Sequence, residues 1–224
     1  DEAILDRTTH PMATLSSWDV SAADRTVSRG IGSYHLPHIR PQSVLITPIG
    51  NLWEKDAWWR LQDMMLATAV AGHSVSIQEM KDPSLFSFEA IPMMRWSASM
   101  LARDAGVEWI LMVDNDALVE KDTLLRLLAW DRPVVFPLVE DMEKRYPRQI
   151  APQSDPDLTE PGHGLVPVRW AVMSVMLFNT RIFNVLEPTA WRGNDFVFSQ
   201  TLNYIGHRIY VDTDTVVRVT KGPT

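Results

Sequence analysis

The run Trp109-Ile-Leu-Met-Val ends in Asp114-Asn115-Asp116, so five apolar residues lead directly into two carboxylates spaced by a single residue. A helical pattern stands on each side of it, Pro92 to Ala105 before and Lys121 to Trp130 after. That context reads the run as a strand buried on both faces of a parallel sheet. Ligands in open α/β sheets collect at the carboxyl ends of such strands. Two acids placed there carry a desolvation cost unless a positive charge joins them, and a hard divalent cation suits oxygen ligands of this kind. The segment therefore reads as a metal-assisted phosphate site.

The flanking sequence supplies the rest of the sheet. Ser43-Val-Leu-Ile-Thr47-Pro48 predicts a strand that turns off at Pro48-Ile-Gly50. Glu54 to Ala71 predicts a helix, with Trp58, Leu61, Met65 and Leu66 at helical spacing and Gly72 as its stop. Ser74 to Gln78 alternates as a second strand, and Pro92 opens a helix that Gly106 closes. Beyond the acidic strand and its helix, Pro133-Val-Val-Phe-Pro137 is a further strand. Strands and helices alternating in this order predict an α/β fold, a mostly parallel sheet flanked by helices. Glu140 to Leu165, rich in Pro, Asp, Glu and Gly, predicts a long loop. Val166 to Leu177 reads as one extended strand, Asn179 to Leu186 as a short helix, and Gly193-Asn194-Asp195 as the start of a helix reaching Leu202. Arg208 to Asp212 and Thr215 to Val219 read as two closing strands. Residues 1–40 show no sustained period and are expected to form an irregular arm, leaving 41–224 as a single domain.

Composition narrows the partners. A net charge of −7 argues against broad binding to a polyanion, although 21 Lys and Arg leave room for a local basic groove. With no cysteine there is no disulfide, thiolate metal site or cysteine nucleophile. No apolar run is long enough to span a bilayer. The amino end, Asp-Glu-Ala-Ile-Leu-Asp, carries neither the basic start nor the apolar core of a signal segment, so the expected compartment is the cytoplasm. Trp53, Trp58, Trp59 and Trp191 flank loops where a ring could stack on a sugar or base, but such rings more often serve buried area.

Asp-x-Asp alone is weak evidence, since Asp155-Pro-Asp157 and Asp212-Thr-Asp214 have the same spacing and read as loop caps or solvated faces. The pair at 114 and 116 differs by its place after a buried strand. A calcium helix-loop-helix would want glycine at the sixth position, where Val119 stands. Zinc would want His or Cys spacing, which is missing. A phosphatase of the haloacid-dehalogenase type would place the motif on the first strand and Thr or Val where Leu118 stands.

The stretch from Pro92 through Arg95 to Asp116 resembles the core of a GT-A glycosyltransferase, in particular the large inverting family 2 that uses nucleotide-sugar donors. Asp122-Thr-Leu-Leu-Arg-Leu-Leu and Pro133-Val-Val-Phe fit its continuation. Gly193-Asn194-Asp195 through Gly206-His-Arg-Ile-Tyr-Val is similar to its second signature, and the likeness spans roughly Ser43 to Val219.

The resemblance implies a GT-A-like, Rossmann-like sheet with a small antiparallel C-terminal part. It implies a Mn²⁺ or Mg²⁺ ion bridging the diphosphate of a nucleotide-sugar donor. Asp116 would ligate the ion, and Asp114 would bind it through water or hold the ribose. Asn115 and Arg95 would lie against the nucleotide. Thr47, Pro48 and Glu79, or Asp82 in its place, would border the base or ribose. Asp195 would be the catalytic base that accepts the acceptor's proton. Where the family often has a further histidine this chain has Val219, beside Arg218 and Lys221, with His163 as a substitute from the long loop. Two readings follow: a metal-dependent sugar transferase, or a degenerate nucleotide-binding or scaffold domain on the same fold. A nucleotidyltransferase would want a glycine-rich loop after the first strand, and Pro48-Ile-Gly50-Asn is glycine-poor. The acceptor is left open among small molecule, glycan, protein and modified nucleobase.

Overall fold

Alternate residues of the two most apolar strands turn to opposite faces, and each face has its own core. The computed structural model describes residues 40–50, 54–80, 90–141, 150–152, 162–186, 190–191 and 195–220. Strand β1 (Ser43–Ile49) lies parallel to β3 (Trp109–Asp114), in register from Val44↔Trp109 to Ile49↔Asp114. Val44, Ile46, Trp109, Leu111 and Val113 enter one core; Leu45, Ile49, Ile110 and Met112 enter the other. Burial on both sides is why these strands read as continuous apolar runs. Each fully buried Val, Leu or Ile contributes on the order of 1.5–3 kcal/mol relative to exposure.

Helices cover both faces. Between β1 and the edge strand β2 (Ser74–Ile77) runs α1 (Lys55–Val70), which buries Leu61 and Met64 in the core of Val44 and Leu111. Between β2 and β3 runs α2 (Ala90–Asp104), whose Ala90, Met94, Ala98 and Ala102 recur at helical spacing and seat on the opposite core. The small β4 (Ala117–Leu118) follows the acidic turn, then α3 (Thr123–Ala129) returns to the α1 side. β5 (Val134–Asp141), β6 (Ile150–Pro152), β7 (Leu165–Ala171) and β8 (Val175–Asn179) come next. A 3₁₀ turn at Thr180–Asn184, α4 (Asp195–Tyr204) and β9 (Ile209–Val219) complete the chain.

The strands form one sheet in the order β2-β1-β3-β8-β5-β9-β7-β6, with β4 attached to β9. Strands β1, β2, β3, β5, β6 and β9 run one way, and β4, β7 and β8 the other. This is the α/β, mostly parallel sheet flanked by helices that the periodicity predicts, with antiparallel pairing concentrated in the C-terminal half.

Four details depart from the expectations. Val166 to Leu177 is two strands: the chain leaves β7 at Ala171 and returns as β8, inserted antiparallel between β3 and β5. The two expected closing strands are one, β9, which slips register opposite Pro137/Leu138 so that Asp212 and Val216 face consecutive residues of β5. Pro137 has no N–H to give to a ladder, which suits a break there. The Glu140 to Leu165 segment contains β6, and the helix expected over 179–186 is 3₁₀. The arm at 1–39, Trp53, Asp82, Asp155-Pro-Asp157, Gly193-Asn194 and Lys221 lie outside the described residues. Among the described residues no helix is long and apolar enough to cross a membrane.

Candidate functional site

The carboxyl end of β3 is where separate parts of the fold meet. The Asp114 N–H donates to the Ser174 carbonyl (2.8 Å), just before β8, and the Asn115 N–H donates to the carbonyl of Ile49 at the end of β1 (3.1 Å). The Thr220 N–H donates to the carbonyl of Asp116 (3.3 Å), which ties the same turn to the end of β9. Three strands thus fix the backbone from 114 to 116. Gly50 packs so closely here that a Cβ would meet Asn115 Cγ at 2.7 Å, and its φ of +129° is one that L side chains rarely adopt.

Arg95 enters from α2 and is buried, with 8% exposure. One Nη2 donates to Asp114 Oδ1 and Oδ2 (3.0 and 3.2 Å) and to the Met173 carbonyl (2.8 Å). Nη1 stands 3.9 Å from Asp195 Oδ1. Asp195, the first residue of α4, accepts the Met173 N–H on Oδ2 (3.0 Å). Met173 therefore contacts both members of the Arg95–Asp195 pair through its backbone. Burial pushes the Asp114 carboxyl up to about 7; Arg95 opposes the shift by charge and hydrogen bond, and Asp116 and Asp195 add to it. Arg95 is set against Asp114 and Asp195 while Asp116 adds negative charge beside Asp114, and this surplus of carboxylates favours a cation.

The expected site residues divide by depth. Arg95, Asp114 and Asp195 come together, and Asn115 and Asp116 are part of the same turn. Asp114, Asn115 and Asp116 are partly exposed, as is Glu79, which follows β2 beside the Ile49↔Met80 bridge. Thr47 is fully buried and its hydroxyl donates to the Leu111 carbonyl (3.3 Å), so it clamps β1 to β3 from beneath the rim. Pro48 is buried beside it, and its carbonyl accepts the Met80 N–H (2.9 Å). Val219 is buried against Ala117. His163 is exposed and its N–H is held by the Thr213 hydroxyl. That anchor is six residues down β9 from Val219, roughly 15–20 Å of strand and beyond the reach of an imidazole. Trp191 packs at 4.2 Å from Phe198 in the core, Trp58 lines the α1 core, and Trp59 is exposed.

Two contributors carry no motif. Glu54 donates its N–H to the Asn115 carbonyl (3.3 Å) and accepts the Thr220 hydroxyl on Oε2 (2.6 Å). A carboxylate and a hydroxyl thereby brace the acidic turn from behind. Glu54 registers in sequence only as a helix start, and Met173 acts through its backbone, so neither has a residue-type signal. Among the described residues no three His, Cys, Asp or Glu side chains are grouped so as to hold a metal.

No protein-family model and no curated protein matches this chain. Solved structures do align with it. The inositol-1-phosphate CTP transferase from T. maritima superposes with a TM-score of 0.50 at 9% identity, over 82% of this chain and 90% of that one. GalNAc-T7, crystallised with UDP, GalNAc and Mn²⁺, gives 0.47 at 13% identity over 81% of this chain, which spans only 43% of the length of that protein. A glycosyltransferase involved in glycosylation of the major capsid of PBCV-1 gives 0.44 at 14% identity, over 82% and 96% of the two chains. With its strand order and its helices on both faces, the chain has a GT-A-like α/β fold, shared with the T. maritima transferase.

Proposed function

We propose that the chain is a metal-dependent glycosyltransferase that moves a sugar from a nucleotide-diphosphate donor to an acceptor hydroxyl, with inversion at the anomeric carbon. The observation that carries this reading is the Arg95 side chain, which grips Asp114 at the rim of β3 and stands beside Asp195 at the head of α4. Inversion needs a base on the acceptor side and charge neutralisation on the diphosphate side. Asp195 is the base. Its Oδ2 is fixed by the Met173 N–H and its side chain keeps 35% exposure, so an acceptor hydroxyl can reach it. Asp116, with Asp114 beside it, would hold Mn²⁺ or Mg²⁺; carboxylate oxygens are the hard donors such ions prefer. When bound, that ion offsets the charge gathering on the departing diphosphate. Arg95 keeps Asp114 oriented and opposes the burial that favours its protonated form. Asn115 and Glu79 line the nucleotide, and Thr47 and Pro48 stiffen the floor under it.

Among the described residues no third His, Cys, Asp or Glu joins these two carboxylates, so the protein alone would hold the ion weakly. Mn²⁺ alone should therefore bind weakly, and nucleoside diphosphate plus Mn²⁺ at least tenfold more tightly than either alone. Calorimetric titration of nucleoside diphosphates with and without Mn²⁺ measures this, and binding indifferent to the metal overturns the reading.

The buried Val219, where the resemblance expects a histidine, favours the second reading, a degenerate domain that binds nucleotide without turnover. Sugar transfer or donor hydrolysis by the purified chain dismisses it.

A further inference from the structure

We propose that Glu54 and Thr220 are positioning residues that set how tightly the acidic turn binds its cation and diphosphate, by tying the end of β9 to that turn. This rests on the reading of Asp114 and Asp116 as the metal site. Two carboxylates one residue apart repel each other until a cation joins them, so the turn needs its backbone held from outside. The carbonyls of Ser174 and Ile49 hold its first half, through the N–H groups of Asp114 and Asn115. In its second half the Asn115 carbonyl accepts the Glu54 N–H and the Asp116 carbonyl accepts the Thr220 N–H. Each of these bonds is 3.3 Å, longer than the usual backbone bond. The short contact joins the two donors to each other. The Thr220 hydroxyl donates to Glu54 Oε2 at 2.6 Å, a charge-assisted bond across 166 residues of sequence.

These three bonds close a ring through residue 54, the turn at 115–116 and residue 220. Simpler roles do not account for its members. Glu54 is the N-cap of α1, a place that favours Ser, Thr, Asp and Asn, and its side chain makes no capping bond. The longer arm of a glutamate reaches Thr220 instead. Nor is the ring needed to keep β9 in the sheet. β4 pairs with β9 through Ala117↔Val219 and Leu118↔Arg218, and β5 pairs with it as far as Val219. Thr220 stands one residue beyond the last pair, so losing its hydroxyl loosens the turn and leaves the strands in place. Glu54 and Thr220 are both half-buried, where a hydrogen bond is stronger than in open water.

The test uses the full chain and the variants Thr220→Val, Thr220→Ser, Glu54→Ala and Glu54→Gln. The probe is the nucleoside diphosphate that the unmodified chain binds most tightly with Mn²⁺, chosen from those of adenine, guanine, cytosine, uracil and thymine. Thr220→Val and Glu54→Ala should each weaken its binding about five- to tenfold. Combining them should weaken it no further, since both break the same bond. Thr220→Ser and Glu54→Gln keep the hydroxyl and the acceptor oxygen and should stay within about threefold. Without ligand, amide hydrogen exchange at positions 54 and 220 should quicken in Thr220→Val, with the melting temperature within about 3 °C of the unmodified chain. Unchanged affinity in Thr220→Val or Glu54→Ala, additive losses, equal damage from Thr220→Ser, unaltered exchange, or a general loss of stability overturns the proposal. Binding indifferent to Mn²⁺ in the unmodified chain rejects the metal site and this role with it. Mn²⁺-dependent binding that every variant keeps rejects this role alone.

Discussion

Asp114-x-Asp116 and Asp212-x-Asp214 have the same spacing and opposite surroundings. Both leading carboxyls are pushed upward by burial. Asp114 is answered by Arg95, a charged side chain from a different helix, and lies at an open rim beside Asp195. Asp212 is answered locally: Oδ1 takes the Asp214 N–H (3.1 Å), Oδ2 takes the Thr215 hydroxyl (2.6 Å), and Trp130 donates as well. The second pair is a clasp that closes the register slip of β9 with neutral donors. A buried carboxylate satisfied by its own turn shapes the chain, whereas one paired with a distant cation at a partly exposed strand end stands where a ligand can reach it.

Substitutions should separate the two pairs, with the largest effect at the rim. Asp116→Ala and Asp195→Asn should each lower transfer about 10²–10⁴-fold. Nucleotide binding should weaken in Asp116→Ala and survive in Asp195→Asn, and steady-state rates with parallel titrations distinguish these outcomes. Full activity in both variants would break the comparison. At the clasp, Asp212→Ala strands buried donors and should cost about 2–3 kcal/mol, a drop of roughly 5–10 °C in melting temperature, with activity per folded molecule retained. A loss of turnover at unchanged stability would mean the clasp has been misread.

A smaller effect is expected at Gly50. A methyl there meets Asn115 at a φ that L residues rarely adopt. Gly50→Ala should cost about 1–3 kcal/mol and tilt the acidic turn. The kinetic mark is a rise in KM for the donor, with the acceptor KM unchanged.

A further effect, on stability rather than turnover, is on pH. Asp114 binds its proton more tightly folded, near 7, than unfolded, near 3.9. Its contribution to stability is therefore fully present below about pH 4 and lost as pH rises through about 7. Asp212 shifts in the same direction. Denaturant midpoints in chelator should show a decline over this window that Asp114→Asn flattens; an unchanged slope in the variant would count against the Asp114 assignment.

The first half of the fold was legible from residue pattern, and much of the second half was not. β1, α1, β2, α2 and β3 carry their own periods, and Gly72 and Gly106 mark where the helices end. β8 has an equally apolar pattern, but nothing local tells a strand that it will insert between two others and run against them. β4 and β6 are too short to show a period, and the slip of β9 depends on a partner strand some seventy-five residues upstream. At the site, residue types flagged Arg95, Asp114 and Asp195. Glu54, Thr220 and the Met173 backbone were invisible because their contributions arise only from the way the strands come together.

The dual contact of Met173 has a consequence for biosynthesis. Arg95 and Asp114 emerge early from the ribosome, yet the carbonyl and amide that align them with Asp195 come from a bend encoded some sixty residues later than Asp114. A nascent chain that has completed only its first three strands has no working arrangement to expose. The cluster is completed only when β8 threads between β3 and β5, and a defect in that threading would leave Arg95 and Asp114 without Met173 even if the first three strands had folded.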